Sequence, residues 1–574
     1  MNITIVSNGF EKQEQLLKKG IEKKIPVAYT EDGMKITLSV NAAMGEKDSY
    51  LITQSAEGYQ IVSADERGLC YGIGKFLHTA TWGKDTFVPN PPQGVQKPAC
   101  SFRAMYFAVH LYNWYANAPT EELEIYLGEL LLWGYNAIVL IIPVIDLYSF
   151  EDELYYNAVS KSRAIFELAK KLDMEVGIII CPNQGLLSAP HEWDADPSFD
   201  PIGNVRGNAG RNICPSIPEA LEYLKSIWNT MFQQYTDIGL DYIVTWPYDE
   251  GGCGCEKCKP WGANGYGDVV NVLHEEAIQY YPSAKFIVSA WIFDKPGDQG
   301  EYEGLYRRLQ GDMAWVDYIM IDAHEDFPRY PLEHEVVKPI INFPEISMWK
   351  LYPWGGYGAN PLVERFHDIW NSSKHVLDGG MPYSEGMYED ISKVQYAGYY
   401  WEPDRDCWDI MKEYANYEFH TDVVEDAILL MKMTEKNHVL TGAYQEPDID
   451  GAIAMGELAK EVQKKLEALG QEGWRWRILY IRTVLEQLKF EYYRDHKMSG
   501  RYATSDIRNF AGDFLADNEE AQELFKELRR LYHSVEYNGR NMFTLPVVGG
   551  ETHLGYEGTY QDICAKRTKK DGGK

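Results

Sequence analysis

Asp249 and Glu250 stand side by side in the segment TWPYDEGG, directly after an apolar run that is typical of a buried strand. Neighbours within a strand face opposite sides, but the chain leaves this strand at Gly251 and Gly252, where both carboxyl groups can point the same way. Such a pair can supply a proton donor and a supporting charge for breaking a C–O bond. The alternative interpretation is a turn whose carboxylates cap the next helix.

A wider set of polar and aromatic side chains follows the other apolar runs. Carboxylates and aromatics dominate it, and neither a Ser-His-Asp order nor a Gly-rich phosphate loop is evident. This combination favours cleavage of a glycosidic bond, since aromatic rings can stack on the C–H faces of sugars. Each aromatic could equally belong to the core, and Glu385 could equally cap a helix. The side chains that we expect to bind substrate are His110, Asn183, Tyr248, Trp291, His324, Trp349, Tyr383 and Glu385.

Cysteines cluster directly after the carboxylate pair. The segment CGCEKC carries Cys253, Cys255 and Cys258, a spacing tight enough for several thiolates to reach one ion. Cys214, in RNICPSIPEA, is the natural fourth ligand of a tetrahedral zinc. We predict a structural zinc that pins the loop bearing Glu250, with a reduced, metal-free cluster as the alternative. Catalysis itself requires no cofactor in this interpretation.

The elements that must position these residues are strands and helices in alternation. Continuous apolar runs joined by amphipathic helices predict a parallel sheet, and eight strands over about 300 residues are typical of a (β/α)8 TIM barrel, whose chemistry lies at the carboxyl ends of the strands. The predicted strands are 102–110, 136–144, 175–183, 241–248, 285–293, 317–324, 346–353 and 375–382.

Two further domains flank the predicted barrel, so the fold class is α/β with three parts. Residues 1–98 alternate short strands and helices and form an N-terminal α/β domain that ends in the linker FVPNPPQGVQKPAC. The barrel occupies 99–403. Long amphipathic patterns then predict a helical C-terminal domain over 404–574.

Composition narrows the class of partner. The formal net charge of −31 would repel nucleic acid and anionic membranes, and the longest apolar runs, such as AIVLIIPVI, are about half a membrane span. The first residues show no basic region followed by an apolar one, so we expect a cytoplasmic location. The expected ligand is a small oligosaccharide or glycoside. The sequence does not distinguish a monomer from a homodimer.

The Asp-Glu pair resembles that of the glycoside hydrolase family 20 β-N-acetylhexosaminidases. This resemblance implies that Glu250 is the general acid/base, and that Asp249 orients the 2-acetamido group of the substrate, whose oxygen attacks the anomeric carbon. The segment SFRAMYFAVH places Arg103 where that family has a sugar-binding Arg, although Ala108 stands where its Asp is expected. The N- and C-terminal domains are similar to those of family 67 α-glucuronidases.

Three functions follow from these observations. The first is an exo-acting, retaining hexosaminidase-like hydrolase with substrate assistance. The second is an α-glucuronidase-like or other two-carboxylate glycosidase that uses Glu250 and Glu385. The third is a non-catalytic carbohydrate-binding barrel, because a barrel fold alone never proves activity.

Overall fold

The computed structural model places most of the chain. The residues that it describes are 1–109, 113–142, 144, 147–199, 211–248, 251–294, 299–323, 326–346, 359–437, 448–495, 517–533, 536–537 and 540–541.

The N-terminal domain is a five-stranded sheet that packs against two helices, Glu11–Glu22 and Glu66–His78. The second helix begins where the Asp65 side chain accepts a hydrogen bond from the backbone of Gly68, which satisfies one otherwise unpaired N–H group. A short hairpin of Thr81–Trp82 and Phe87–Val88 follows. In spatial order, the sheet strands are Ala28–Tyr29, Asn2–Val6, Met34–Val40, Gly58–Ser63 and Tyr50–Ser55.

Eight parallel strands close into a barrel, which confirms the predicted fold class. Closure occurs where Gly379 of the eighth strand pairs with Phe102 of the first. A short extension, Tyr383–Ser384, also pairs in parallel with the first strand. The barrel strands are β1 (Phe102–Phe107), β2 (Ala137–Ile141), β3 (Glu175–Ile180), β4 (Tyr242–Thr245), β5 (Lys285–Ser289), β6 (Tyr318–Ala323), β7 (Ile340–Pro344) and β8 (Leu377–Gly380).

The seventh strand lies earlier in the chain than its predicted range of 346–353. It is the short run Ile340–Pro344, between β6 and β8. Pro339 and Pro344 flank this run. Because proline cannot donate a backbone hydrogen bond to a neighbouring strand, the sequence did not predict a strand here. The correction moves Glu345 to the carboxyl end of a barrel strand.

Helices cover the outside of the barrel, so its strands are buried on both faces and apolar along most of their length. A one-turn helix, Trp114–Asn117, precedes the first of them. The barrel helices are α1 (Thr120–Trp133), α2 (Glu153–Lys171), α3 (Pro218–Gln233), α4 (Gly265–Ala277), α5 (Glu301–Leu309), α6 (Arg329–Glu333), α7 (Val363–Ser373) and α8 (Asp390–Trp401).

The described residues after the barrel are mainly helical. Within the ranges that the structure describes, no helix is both long enough and apolar enough to cross a membrane. A two-residue hairpin of Glu536–Tyr537 and Arg540–Asn541 follows the last helix. The α-helices described after the barrel are α9 (Cys407–Tyr414), α10 (Val424–Lys436), α11 (Ile449–Leu469), α12 (Trp474–Asp495) and α13 (Glu519–Leu531).

Candidate active site

An aromatic cluster lies towards the carboxyl ends of the barrel strands. Trp246, directly after β4, packs 5.1 Å from the ring of Trp291 and 5.1 Å from that of Phe343. Tyr383 continues the cluster, 5.7 Å from Phe343 and 5.2 Å from Tyr106 of β1. The structure thus brings the predicted Trp291 and Tyr383 into one cluster. The other three rings were missed, although each lies at or near the carboxyl end of an apolar run.

Glu385 is a strongly perturbed carboxyl group at this end of the barrel. It is 3% exposed, and its side chain accepts a hydrogen bond of 2.9 Å from the hydroxyl of Tyr383. Burial raises its pKa well above the ordinary value, and the neighbouring charges of Glu389 and Glu345 raise the pKa further. The site therefore favours the neutral form of this carboxyl group over its charged form. In that state it can donate a hydrogen bond or a proton.

Two acidic neighbours of Glu385 escaped the sequence analysis. Glu345, directly after β7, is buried, and its backbone forms an isolated parallel β-bridge with that of Tyr383. Glu389, at the end of the helical turn before α8, is also buried and accepts hydrogen bonds of 2.9 and 3.1 Å from the backbone of Glu385. A correct position for β7 would have identified Glu345. The spacing of four residues in the segment EGMYE was the available signal for Glu389.

The predicted catalytic pair, Asp249 and Glu250, lies outside the described residues, as do His110, His324 and Trp349. The residues on either side of the pair are described: Tyr248 and Gly251 are both buried in the loop directly after β4. Gly252 has a φ of 123°, in the region that favours glycine. The chain therefore makes a tight turn directly after the pair.

Asn183, in the loop after β3, holds that turn. Its amide nitrogen donates hydrogen bonds to the carbonyls of Ile213, at 3.1 Å, and Gly252, at 2.9 Å. Its amide oxygen accepts a hydrogen bond of 3.1 Å from the backbone of Gly252. The side chain is fully buried, so Asn183 braces two loops at the mouth. The prediction that Asn183 binds substrate directly does not fit these contacts.

Tyr248 is also a supporting residue. Its side chain is fully buried, its ring packs against Phe293, and its hydroxyl donates a hydrogen bond to Glu301 at the start of α5. Glu301 also accepts a hydrogen bond from the backbone of Gly262, in the loop before α4. Tyr248 therefore links the end of β4 to the helical layer.

Arg103 lies at the opposite end of the barrel from the mouth. It is the second residue of β1 and is fully buried. Its guanidinium donates to Asp48 of the N-terminal domain at 2.8 Å and to the carbonyls of Gly134 and Cys100 at 2.8 and 2.7 Å. The expectation that Arg103 binds sugar is therefore wrong. Its charge is used to join the N-terminal domain to the barrel.

The four predicted cysteines converge beside the turn that Asn183 holds. Their sulfur atoms all lie within 4.8 Å of one another, and those of Cys214 and Cys255 are 3.7 Å apart. Cys214, Cys253 and Cys258 are buried. Hydrogen bonds from Cys253 and Cys258 lower the pKa of the Cys214 thiol.

Comparisons with known proteins show what this fold resembles. No protein-family model and no curated protein sequence match the chain. Among solved structures, a family GH89 glycoside hydrolase from Clostridium perfringens, in complex with its substrate GlcNAc-α-1,4-galactose, has a TM-score of 0.61 and 11% identity, over 97% of this chain and 74% of that one.

Two further structures have similar scores. A family GH115 4-O-methyl-α-glucuronidase with specificity for decorated arabinogalactans has a TM-score of 0.59 and 12% identity, over 95% of this chain and 79% of that one. The protein CpGH84B has a TM-score of 0.52 and 12% identity, over 98% of this chain and 96% of that one. The chain thus shares its fold with glycoside hydrolases. These similarities do not show membership of family 20 or family 67.

Proposed function

We propose that this chain is an exo-acting glycoside hydrolase that binds a small oligosaccharide or glycoside at the barrel mouth. The observation that carries the proposal is Glu385, a buried carboxyl group whose pKa is raised by burial and by its neighbours Glu389 and Glu345. Strongly perturbed acids at the carboxyl ends of barrel strands are typical of catalytic sites. The aromatic cluster beside this group suits the apolar face of a sugar ring.

Glu250 and Asp249 carry the chemistry in this proposal. Glu250 donates its proton to the glycosidic oxygen while the oxygen of the sugar's 2-acetamido group, oriented by Asp249, attacks the anomeric carbon. Glu250 then accepts a proton from the water that opens the cyclic intermediate, so the anomeric configuration is retained. Support comes from the resemblance of the pair, from the turn that Asn183 braces, and from the GlcNAc-containing substrate of the GH89 neighbour.

A two-carboxylate mechanism is the second candidate, and the acidic cluster favours it. Here Glu250 is the acid, and Glu385 acts as the base or nucleophile on the opposite side of the sugar. The raised pKa of Glu385 opposes this role at neutral pH, because a base must be ionised. A glucuronide would also need a cationic side chain to bind its carboxylate. Among the described mouth residues, Arg211 already pairs with the carboxylate of Asp194.

A panel of aryl glycosides tests the proposal. We expect turnover of N-acetylhexosaminides, loss of activity in Glu250→Gln, and a strong reduction in Asp249→Asn. Glu57→Gln, at a surface glutamate of the N-terminal domain whose side chain is 76% exposed, is the matched control and should match the wild type. Activity that requires Glu385 but not Asp249 would favour the second candidate. A folded protein that turns over no sugar would contradict both, and would favour the non-catalytic carbohydrate-binding barrel.

A further inference from the structure

Four cysteines join two loops at the barrel mouth. Cys214 ends the long loop between β3 and α3, whereas Cys253, Cys255 and Cys258 belong to the loop between β4 and α4. Backbone hydrogen bonds fix both sides. The N–H of Cys214 donates to Trp193 at 2.8 Å, and that of Cys258 donates to Cys255 at 3.0 Å. The sulfur atoms are therefore presented by ordered backbone.

The distances among the sulfurs match a tetrahedral metal site. A zinc–sulfur bond of about 2.3 Å implies sulfur atoms about 3.8 Å apart around a tetrahedral ion. The Cys214 and Cys255 sulfurs are 3.7 Å apart, and all four lie within 4.8 Å of one another. Disulfide-bonded sulfurs would be about 2 Å apart. The cluster therefore has the size of a four-thiolate cage.

We propose that Cys214, Cys253, Cys255 and Cys258 bind one structural zinc ion. Four thiolates close the coordination sphere, as in structural zinc sites, so no position is left for water or substrate. Zinc suits an all-sulfur tetrahedral set, whereas magnesium and calcium prefer oxygen ligands. The hydroxyl of Ser216, 3.1 Å from the sulfur of Cys214 and 3.6 Å from that of Cys255, supports these ligands from outside the cage.

The ion would fix the loop that bears the catalytic pair, a consequence that rests on the proposed function. Cys253 follows Glu250 by three residues. Asn183 binds the carbonyls of Ile213 and Gly252, the residues directly before Cys214 and Cys253. The side-chain amide of Asn183 and the metal ion would therefore hold the same two loops together at adjacent residues.

Metal analysis of the full-length protein tests the site without any substrate. We expect about one zinc ion per chain in protein purified under reducing conditions. The double variant Cys253→Ser/Cys258→Ser should lose it. Cys407→Ser should keep it, because Cys407 is a buried cysteine outside the cluster. Iron in place of zinc, or zinc retained by the double variant, would overturn the assignment.

Cobalt substitution keeps the test decisive if the double variant fails to fold. Wild-type protein stripped of metal and loaded with Co²⁺ should show the sulfur-to-metal absorption of a tetrahedral thiolate site. Failure of the chain to take up either metal, or a disulfide between two of the four cysteines, would contradict the site. A metal-free chain that hydrolyses sugars contradicts the zinc alone, whereas a zinc-loaded chain inactive on every sugar contradicts the proposed function alone.

Discussion

At the scale of single residues, the charged form of the buried Glu385 carboxyl group is electrostatically unfavourable in the folded protein. Its carboxyl group is buried next to two other acids, Glu345 and Glu389, whereas the hydrogen bond from the hydroxyl of Tyr383 favours its charged form. A carboxyl group whose pKa is raised by folding stabilises the native state only while it stays protonated. Stability therefore falls as the pH rises above the unfolded pKa of about 4.3. Such a cost is typical of functional sites.

We expect Glu385→Gln to raise the melting temperature at pH 7, because the amide removes the ionisable group whose charge is opposed by burial and by Glu389 and Glu345. The gain in stability should shrink as the pH falls and vanish near pH 4, where the wild-type carboxyl group is protonated in both states. It should change by up to about 1.4 kcal/mol per pH unit in between. Thermal unfolding from pH 4 to pH 8 measures this trend.

Glu57→Gln serves again as the exposed control and should show no such trend. A Glu385→Gln variant that is less stable than the wild type at pH 7 would contradict a carboxyl group whose charged form is disfavoured at this position.

At the scale of elements, the loops after β3 and β4 form one unit around Asn183. Its three hydrogen bonds satisfy buried backbone groups of Ile213 and Gly252. The unit fixes the turn directly after Asp249 and Glu250. Small displacements of a catalytic group are costly, because reacting atoms must be held within tenths of an ångström.

Asn183→Leu should therefore lower both stability and kcat. Loss of three hydrogen bonds costs about 3 kcal/mol, and a loosened turn should reduce kcat by about 10- to 100-fold. Thermal unfolding and steady-state kinetics on the preferred glycoside measure the two effects.

Asn136→Leu is the matched control, since Asn136 is a buried amide that bridges backbone groups of Ser101 and Arg103 at the opposite end of the barrel. It should lose comparable stability and keep its kcat. Equal effects of the two substitutions on kcat would show that Asn183 has only a general structural role.

Sequence patterns predicted the elements better than the details of the site. Continuous apolar runs identified seven of the barrel strands, because both of their faces are buried. The seventh strand was misplaced since Pro339 and Pro344 flank a run of only four residues. The error hid Glu345. The contacts of Arg103 and Asn183 depend on which end of a strand faces which domain, and no local pattern encodes that.

At the scale of the whole molecule, a buried charge network joins all three parts of the chain. Arg475 of α12 pairs with Glu129 of α1 at 2.7 Å and with Glu418, beyond α9, at 3.3 Å. It also binds Asp390 at the start of α8. Lys23 of the N-terminal domain contacts the same Glu418 at 2.7 Å. Burial opposes the charge on Glu418, but Arg475 and Lys23 outweigh it and lower its pKa to about 2.

This network should make the molecule sensitive to acid. A carboxylate whose pKa is lowered by folding stabilises the native state above its unfolded pKa, and that stability is lost as the pH falls from about 4.3 towards 2. Arg475→Met should cost about 3–5 kcal/mol at pH 7, because it removes one cationic partner from three carboxylates of the network. It should also move acid unfolding to higher pH. Thermal and acid unfolding, followed by circular dichroism, measure both effects.

Arg163→Met is the control, because Arg163 pairs with Asp237 at the surface, and such pairs contribute at most about 1 kcal/mol. Equal losses of stability in the two variants would contradict the buried network.

The dependence of rate on the leaving group tests the central claim most directly, namely that Glu250 protonates the departing oxygen at the barrel mouth. Aryl glycosides of the preferred sugar, with phenols of graded acidity, are compared on the wild type and Glu250→Gln. We predict that the variant loses about 100-fold or more on poor leaving groups and little on the most acidic phenols, which depart without a proton. An equal loss on every leaving group, or no loss at all, would contradict the account.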